Sequence, residues 1–330
     1  MAVTHCPSCG DPVGAEHRFC ENCGENLFLR RTPEGGALGP VSPDCASCGG
    51  VVGEDGFCEN CGHARASGRD RMEFDLGLVA GISDRGRARA RNEDSMAFAV
   101  VGPKTAPEAV VAIVCDGVGS TRRSDEASQA AVDAALERIA DCLRAGKEAH
   151  ESTVDGVAAA VEAVALLGEP GSTELAPSST FVSVIATADE ITVGWIGDSR
   201  AYWLAGEESR RLTVDDTLYA RLREAGWSED EASANPNALA LARWLGADAD
   251  RDPPNVAEFS ANGPGYLVLC SDGLWNYEPG PQAMSALVSE AAPLTVAAEL
   301  TTFALEAGGG DNVTVVVLPY PFAEPGSDSE

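Results

Sequence analysis

The sequence predicts an α+β fold: a four-layer α-β-β-α sandwich, two antiparallel sheets with helices on both outer faces, behind two small four-cysteine units. Three observations predict it. Short apolar runs of β type recur from about residue 75 onward. Two long amphipathic helical patterns fall together between the third and fourth runs, and another pair precedes the last. Strands and helices therefore segregate into layers and do not alternate strictly. Eight of the eleven cysteines lie before residue 62, apart from that pattern.

In chain order, Cys6-Pro-Ser-Cys9-Gly10 and Phe19-Cys20-Glu-Asn-Cys23-Gly24 form a first unit over residues 1–30. Cys45-Ala-Ser-Cys48-Gly49 and Phe57-Cys58-Glu-Asn-Cys61-Gly62 form a second over 44–64. The repeated Phe-Cys-Glu-Asn-Cys-Gly marks an internal duplication. Residues 31–43, rich in Gly and Pro, read as a linker, and 65–74 as another. The main domain spans 75–320, and 321–330 read as a disordered tail. Strands are expected near 76–82, 95–101, 109–115, 180–187, 190–197, 200–205, 265–270 and 312–318. Helices are expected near 125–145, 152–167, 216–226, 237–245, 281–291 and 293–307. Residues 206–262 mix helix and loop and read as a flap.

Two Cys-x-x-Cys pairs supply four thiolates, enough for one tetrahedral Zn²⁺, and the arrangement occurs twice. Cys6, Cys9, Cys20 and Cys23 are expected to hold one structural zinc, and Cys45, Cys48, Cys58 and Cys61 a second. The units resemble double zinc-ribbon modules. Their few basic residues, Arg18, Arg30, Arg31 and Arg65, favour a protein-docking or regulatory role over nucleic acid. A redox sensor that loses zinc on oxidation is the alternative. Cys115, Cys142 and Cys270 sit in apolar patterns and read as core residues. Cys115 is not the nucleophile of a Cys-x5-Arg phosphatase, because six residues separate it from Arg122.

Charge narrows the partners. The chain carries a formal −29 with a pI near 4.3, so phosphate backbones and anionic membranes repel it. No apolar stretch of about 18 residues suggests a membrane span. The N-terminus has no basic region followed by an apolar one, so no secretory signal is expected. Many cysteines without such a signal argue for metal ligands and a reducing cytoplasm.

Five aspartates flank the apolar runs. Asp116, Asp198 and Asp272 follow one; Asp94 and Asp311 open one. Carboxylates converging on one sheet rim repel unless a hard divalent cation neutralises them. Their surroundings are Arg89-Ala-Arg91-Asn92-Glu93-Asp94, Asp116-Gly117-Val118-Gly119, Gly197-Asp198-Ser199, Ser271-Asp272-Gly273 and Gly309-Gly310-Asp311-Asn312. In that order, over residues 75–320, they resemble the bacterial form of the type-2C metal-dependent protein serine/threonine phosphatases.

The residues alone favour Mg²⁺ or Mn²⁺ over zinc at an all-carboxylate site, with both ions left open. Two such ions sharing an aspartate would activate a water toward phosphorus. The resemblance implies that Asp116 bridges the two, with the Gly117 carbonyl facing one. By the same resemblance Asp272 and Asp311 complete the first metal, Asp94 serves the second largely through water, and Asp198 supports a weaker third. It also implies that Arg89 binds the phosphate, while sequence alone leaves Arg87 and Arg91 as alternatives. Asp84 reads as a turn cap beside Gly86, and Asp125, Asp215 and Asp216 as helix starts.

The sequence departs from the family at three places. The usual His after the bridging aspartate is Thr121. The Gly-Thr-Thr before the fourth strand reads Ser178-Ser179-Thr180, and a flap His-Pro reads Asn235-Pro236. His150, the one histidine of the main domain, reads as a surface residue between two helices, so a proton for the leaving alkoxide is expected from metal-bound water. The implied activity is hydrolysis of phosphoserine or phosphothreonine in protein targets of a serine/threonine kinase. The alternatives are a binding scaffold on a degenerate phosphatase fold and a small-molecule phosphatase.

Overall fold

The computed structural model describes residues 4–6, 9–14, 17, 19–24, 26–36, 44–45, 48–53, 57–62, 67–103, 106–169, 171, 175–250 and 252–322. Most of the expected first linker (37–43), Arg18, Arg65 and the tail beyond 322 lie outside them.

The amino-terminal units are small and held by turns. β1 (Thr4–His5) pairs with β2 (Pro12–Val13), and β3 (Leu29–Arg31) follows the first unit. In each unit the glycine after a Cys-x-x-Cys pair donates its N–H to the carbonyl of that pair's first cysteine, as Gly24 does to Cys20 at 2.8 Å. Gly10, Gly24, Gly49 and Gly62 all take a φ of 70–77°, which a Cβ would oppose.

The main domain contains β4 (Arg71–Asp75), β5 (Ala80–Asp84), β6 (Asp94–Val101), β7 (Ala109–Asp116), α1 (Ser124–Arg144), α2 (Ala149–Ala165), β8 (Ser178–Ser179), β9 (Phe181–Thr187), β10 (Ile191–Ile196) and β11 (Arg200–Leu204). Then come β12 (Arg210–Arg211), α3 (Leu218–Glu224), α4 (Glu229–Ser233), β13 (Leu245–Gly246), β14 (Asn255–Phe259), β15 (Gly265–Cys270), α5 (Asp272–Trp275), α6 (Pro281–Ser285), α7 (Pro293–Ala307) and β16 (Val313–Tyr320). Two six-stranded antiparallel sheets result. Their orders are β14-β10-β9-β7-β6-β3 and β12-β11-β15-β16-β5-β4.

Period-2 alternation builds the layers. On β6, Met96, Phe98 and Val100 face the space between the sheets, where Trp203, Leu267 and Val316 meet them. Ala97, Ala99 and Val101 face the other way, onto Ala131, Ala135 and Leu136 of α1. β16 divides in the same manner: Val316 and Leu318 point inward, while Val313, Val315 and Val317 meet Val296, Leu300 and Ala304 of α7. Strands covered on both faces read as unbroken apolar runs, and each fully buried Val, Leu, Phe or Met side chain contributes about 1.5–3 kcal/mol. The four-layer sandwich is the expected one.

Several expectations are corrected. Residues 71–74, read as linker, belong to β4 (Arg71–Asp75), which pairs with β5 in the register Arg71↔Asp84. Residues 29–31, at the border of the first unit, pair with β6 as Leu29↔Val101. Both segments cover a sheet edge, and an uncovered edge invites association. No helix spans 237–245; those residues form turns and β13. The helix expected over 281–291 stops at Ser285. β14 was not expected, and it ends the flap on the first sheet as β12 begins it on the second. Phe322, assigned to the tail, stacks edge-on against Tyr320 with centroids 6.2 Å apart.

Candidate active site

Antiparallel pairing explains why the carboxylates meet. β7 ends at the rim where β6 begins, and Asp94 stands directly opposite Asp116. In the other sheet the end of β15 lies beside the starts of β11 and β16, with Cys270 opposite both Arg200 and Val315. Asp272 follows that end, and Asp198 and Asp311 precede the two starts. Arg89, Glu93, Asp116, Asp198, Asp272 and Asp311 line one cleft of about 230 Å³, with Leu239 and Leu241 of the flap on its border.

Each carboxylate has its own support. The Asp116 N–H donates to Thr180 Oγ1 (3.0 Å), and its carbonyl accepts from Thr180 N (2.8 Å) and Ser179 Oγ (2.9 Å). Val118 N donates to the Ser178 carbonyl at 2.9 Å. Ser178-Ser179-Thr180, the departure noted above, thus clamps the Asp116 strand end. Gly117 is required by close approach: a Cβ there would stand 2.6 Å from the carbonyl oxygens of Glu93 and Ser124. Asp272 opens α5 and accepts from Asn276 Nδ2 at 3.1 Å. A Cβ on the next residue, Gly273, would lie 1.8 Å from the Asn312 carbonyl oxygen, so only glycine brings Asp272 so near β16.

Asp94 is 1% exposed. Its Oδ2 accepts from Ser271 Oγ (2.7 Å) and Thr314 Oγ1 (2.8 Å), while Oδ1 is buried without a partner. At Asp198 the main chain is held. Its carbonyl accepts from Trp275 Nε1 (2.9 Å), and Arg200, which pairs with Asp215 through two bonds, lies 3.6 Å over the Trp275 ring. Asp215 and Asp216, expected as helix starts, instead pin the flap: Asp216 accepts from Gly197 N and from Asn255 Nδ2.

Crowding shows in the proton affinities. Burial, then repulsion from Asp94 and Asp272, pushes Asp116 well above the ordinary carboxyl range. Burial raises Asp94 to about 7 and Asp198 to about 7, with Asp272 adding to both. Burial and the Asp311 charge raise Asp272 to about 6, although a hydrogen bond with Asp116 opposes the shift. An all-oxygen donor set, mutual repulsion and an orphaned buried oxygen on Asp94 together fit hard divalent cations.

The structure separates the three candidate arginines. Arg89 reaches the cleft and bonds Asp311 Oδ2 through Nη2 at 2.5 Å. Arg91 turns to Asp125 (3.5 Å), and Arg87 packs on Gly309. Sequence reasoning missed two residues that hold this loop. Asn312 Nδ2 donates to the carbonyls of Arg85 and Arg91, and its Oδ1 accepts from Glu93 N. Glu93 lines the cleft and accepts from Ser124 Oγ at 2.7 Å. The Gly-Gly-Asp-Asn run contained the signal for Asn312; nothing singled out Glu93. Thr121 closes a turn by donating its hydroxyl to the Val118 carbonyl at 2.8 Å. His150 lies in the first turn of α2, not between helices, and meets Glu258 at 3.3 Å.

Each cysteine unit brings its four sulfurs within 4.8 Å of one another. Cys6–Cys23 and Cys9–Cys20 stand at 3.5 Å, Cys45–Cys61 and Cys48–Cys58 at 3.6 Å. Tetrahedral zinc with bonds near 2.3 Å sets sulfurs roughly 3.8 Å apart, so the donor set fits. The backbone of Asp11, with Asn22, lowers Cys9 to about 7. Asn60, with the backbone of Gly50, lowers Cys48 to about 6. Both favour the thiolate that zinc requires. Cys115, Cys142 and Cys270 are buried in the main domain, as expected.

The family described as protein phosphatase 2C matches residues 85–303. A serine/threonine phosphatase, stp, of Listeria innocua is 29% identical over 253 residues, covering 75% of this chain and 97% of that protein. The crystal structure of the Mycobacterium tuberculosis serine/threonine phosphatase PstP/Ppp is 28% identical, with a TM-score of 0.60, over 72% of this chain and 96% of that one. The catalytic domain of PstP in complex with two manganese ions is 27% identical, with a TM-score of 0.56, over 72% and 96%. The chain belongs to the protein phosphatase 2C family. Its enzyme class is protein serine/threonine phosphatase. Among the described residues no helix is long and apolar enough to cross a membrane.

Proposed function

We propose that the chain hydrolyses phosphoserine and phosphothreonine in cytoplasmic protein targets of a serine/threonine kinase, using Mn²⁺ or Mg²⁺ held at the sheet rim. The observation that carries this reading is the convergence of Arg89, Asp116, Asp198 and Asp272, all within the family match, with Asp311 on one cleft. Asp116, the Gly117 carbonyl, Asp272 and Asp311 would hold one ion; Asp116 and Asp94 a second; Asp198 a weaker third. Bound there, such ions supply positive charge to the transferring phosphoryl group and lower the pKa of water.

The chain's own residues do the rest. Arg89 stays protonated beside Asp311 and presents a planar fork to phosphate oxygens. Asn312 and Glu93 fix the loop that carries it. Leu239 and Leu241 give the cleft an apolar border, which favours a phosphorylated segment over a free phosphate. The two zinc-bound units would dock or regulate, since closed four-cysteine sites leave no coordination position for substrate.

Turnover of a phosphopeptide with Mn²⁺, before and after Asp116→Ala, tests the reading. The variant should lose about 4 kcal/mol of transition-state stabilisation, roughly a thousandfold in rate. A wild type that releases no phosphate with Mn²⁺ ends it.

A further inference from the structure

Arg69 lies outside the segment matched to the family, in the stretch read as a linker. Its side chain nevertheless reaches the start of β6. Nη2 donates to the Asp94 carbonyl (3.3 Å) and to Ser95 Oγ (2.8 Å), and Nη1 donates to Gln129 Oε1 on α1 (2.8 Å). Its main chain grips the other side of the same residue. The Arg69 carbonyl accepts from Asn92 Nδ2 (3.0 Å), and Asn92 Oδ1 accepts from the Asp94 N–H (3.2 Å). Arg69 thus touches the Asp94 carbonyl directly and its N–H through Asn92, which Ser83 Oγ also holds at 2.8 Å, while the carboxylate Oδ1 has no partner. Gln129 is held in turn: its Nε2 donates to Asp133 Oδ2 (2.9 Å), which also accepts from Gly35 N (3.1 Å). Gly35 follows β3, so the segment leaving the first cysteine unit is the outer end of this chain of hydrogen bonds.

We propose that Arg69 is a positioning residue that sets Asp94 for the divalent cation, and that the strap through Gly35, Asp133 and Gln129 sets Arg69. Directional contacts on both sides of Asp94, from a residue the family segment does not include, support it. Residues that orient a metal ligand typically carry about 10–100-fold in metal affinity. The proposal rests on the metal-dependent reading above.

The test is Mn²⁺ binding to the full chain, by calorimetry without substrate, for wild type, Arg69→Gln, Arg69→Lys and Gln129→Ala. Arg69→Gln should weaken Mn²⁺ binding by about tenfold or more, with Arg69→Lys recovering part of the loss. Gln129→Ala should weaken it less, in the same direction. At saturating Mn²⁺, KM for a phosphopeptide should stay unchanged. If Arg69→Gln does not fold, Gln129→Ala decides. Unaltered Mn²⁺ affinity in the folded variants, even with a lowered melting temperature, overturns the proposal and leaves the enzyme reading intact. A wild type that binds no Mn²⁺ overturns both. A wild type that binds Mn²⁺ without turnover overturns only the enzyme reading.

Discussion

Asp94, Asp116, Asp198 and Asp272 hold their protons more tightly in the folded protein than in an open chain, because burial and one another's charge oppose ionisation. This reverses the usual behaviour of a salt-bridged carboxylate. A group whose affinity is raised on folding stabilises below its unfolded pKa, and that stability is lost as pH rises through the folded value. With ordinary carboxyl values of 3.8 raised to about 6 in Asp272 and about 7 in Asp94 and Asp198, the loss runs mainly from about pH 4 to about pH 7. The protein without Mn²⁺ or Mg²⁺ should therefore melt at progressively lower temperature across that window. Saturating Mn²⁺ should remove the decline, because the cation replaces the protons. Melting curves at several pH values, with and without Mn²⁺, read this directly. A metal-free melting temperature that rises with pH there would mean that the four carboxyls do not ionise against one another.

At the scale of elements, the described residues of each cysteine unit offer little apolar core beyond the thiols: Val13 and the partly buried Leu27 in the first, and Val52 in the second. A metal bound by the four thiols would then supply most of each unit's folding energy. Two zincs per chain should survive dialysis, and Cys9→Ser should release about one of them while the second unit keeps its own. Zinc quantification by a colorimetric chelator after mild denaturation gives the count, and retention of both zincs in the variant would refute a four-thiolate site. The duplication made these units legible in the sequence. So did the central strands β6, β7, β9, β15 and β16, whose two covered faces leave continuous apolar runs. The strands at the sheet margins were hard to read. β4 alternates charged and apolar residues over five positions, β3 carries two arginines, and β14 is half-exposed. Each is fixed by the neighbour it pairs with, not by its own propensity. The aspartates were readable because a strand end is visible in sequence. Of their supports, Asn312 and Ser178-Ser179-Thr180 stood in motifs the sequence displays, whereas Arg69 and Glu93 act through hydrogen bonds across the rim that no local pattern encodes.

The whole molecule carries 52 acidic residues against 23 Lys and Arg. Its ion pairs are mostly on the surface, such as Arg123–Glu126 and Lys147–Glu151, and exposed pairs contribute about 0–1 kcal/mol each. Added salt weakens those pairs, but it also screens the net −29, whose self-repulsion is greater in the compact state than in the open chain. At about 0.1 M ionic strength the screening length is near 10 Å, shorter than the distances between most of the excess charges. The repulsive term should therefore fall further than the attractive one. Raising KCl from about 20 to 300 mM should raise the melting temperature of the metal-free protein. The same titration should weaken Mn²⁺ binding, because the acidic rim attracts the cation through the charges that salt screens. The two readouts must move in opposite directions, since one reports like charges held together and the other an opposite charge drawn in. A melting temperature that falls with salt would place the stability of this chain in its surface ion pairs, and its acidity would then act on the approach of cations alone.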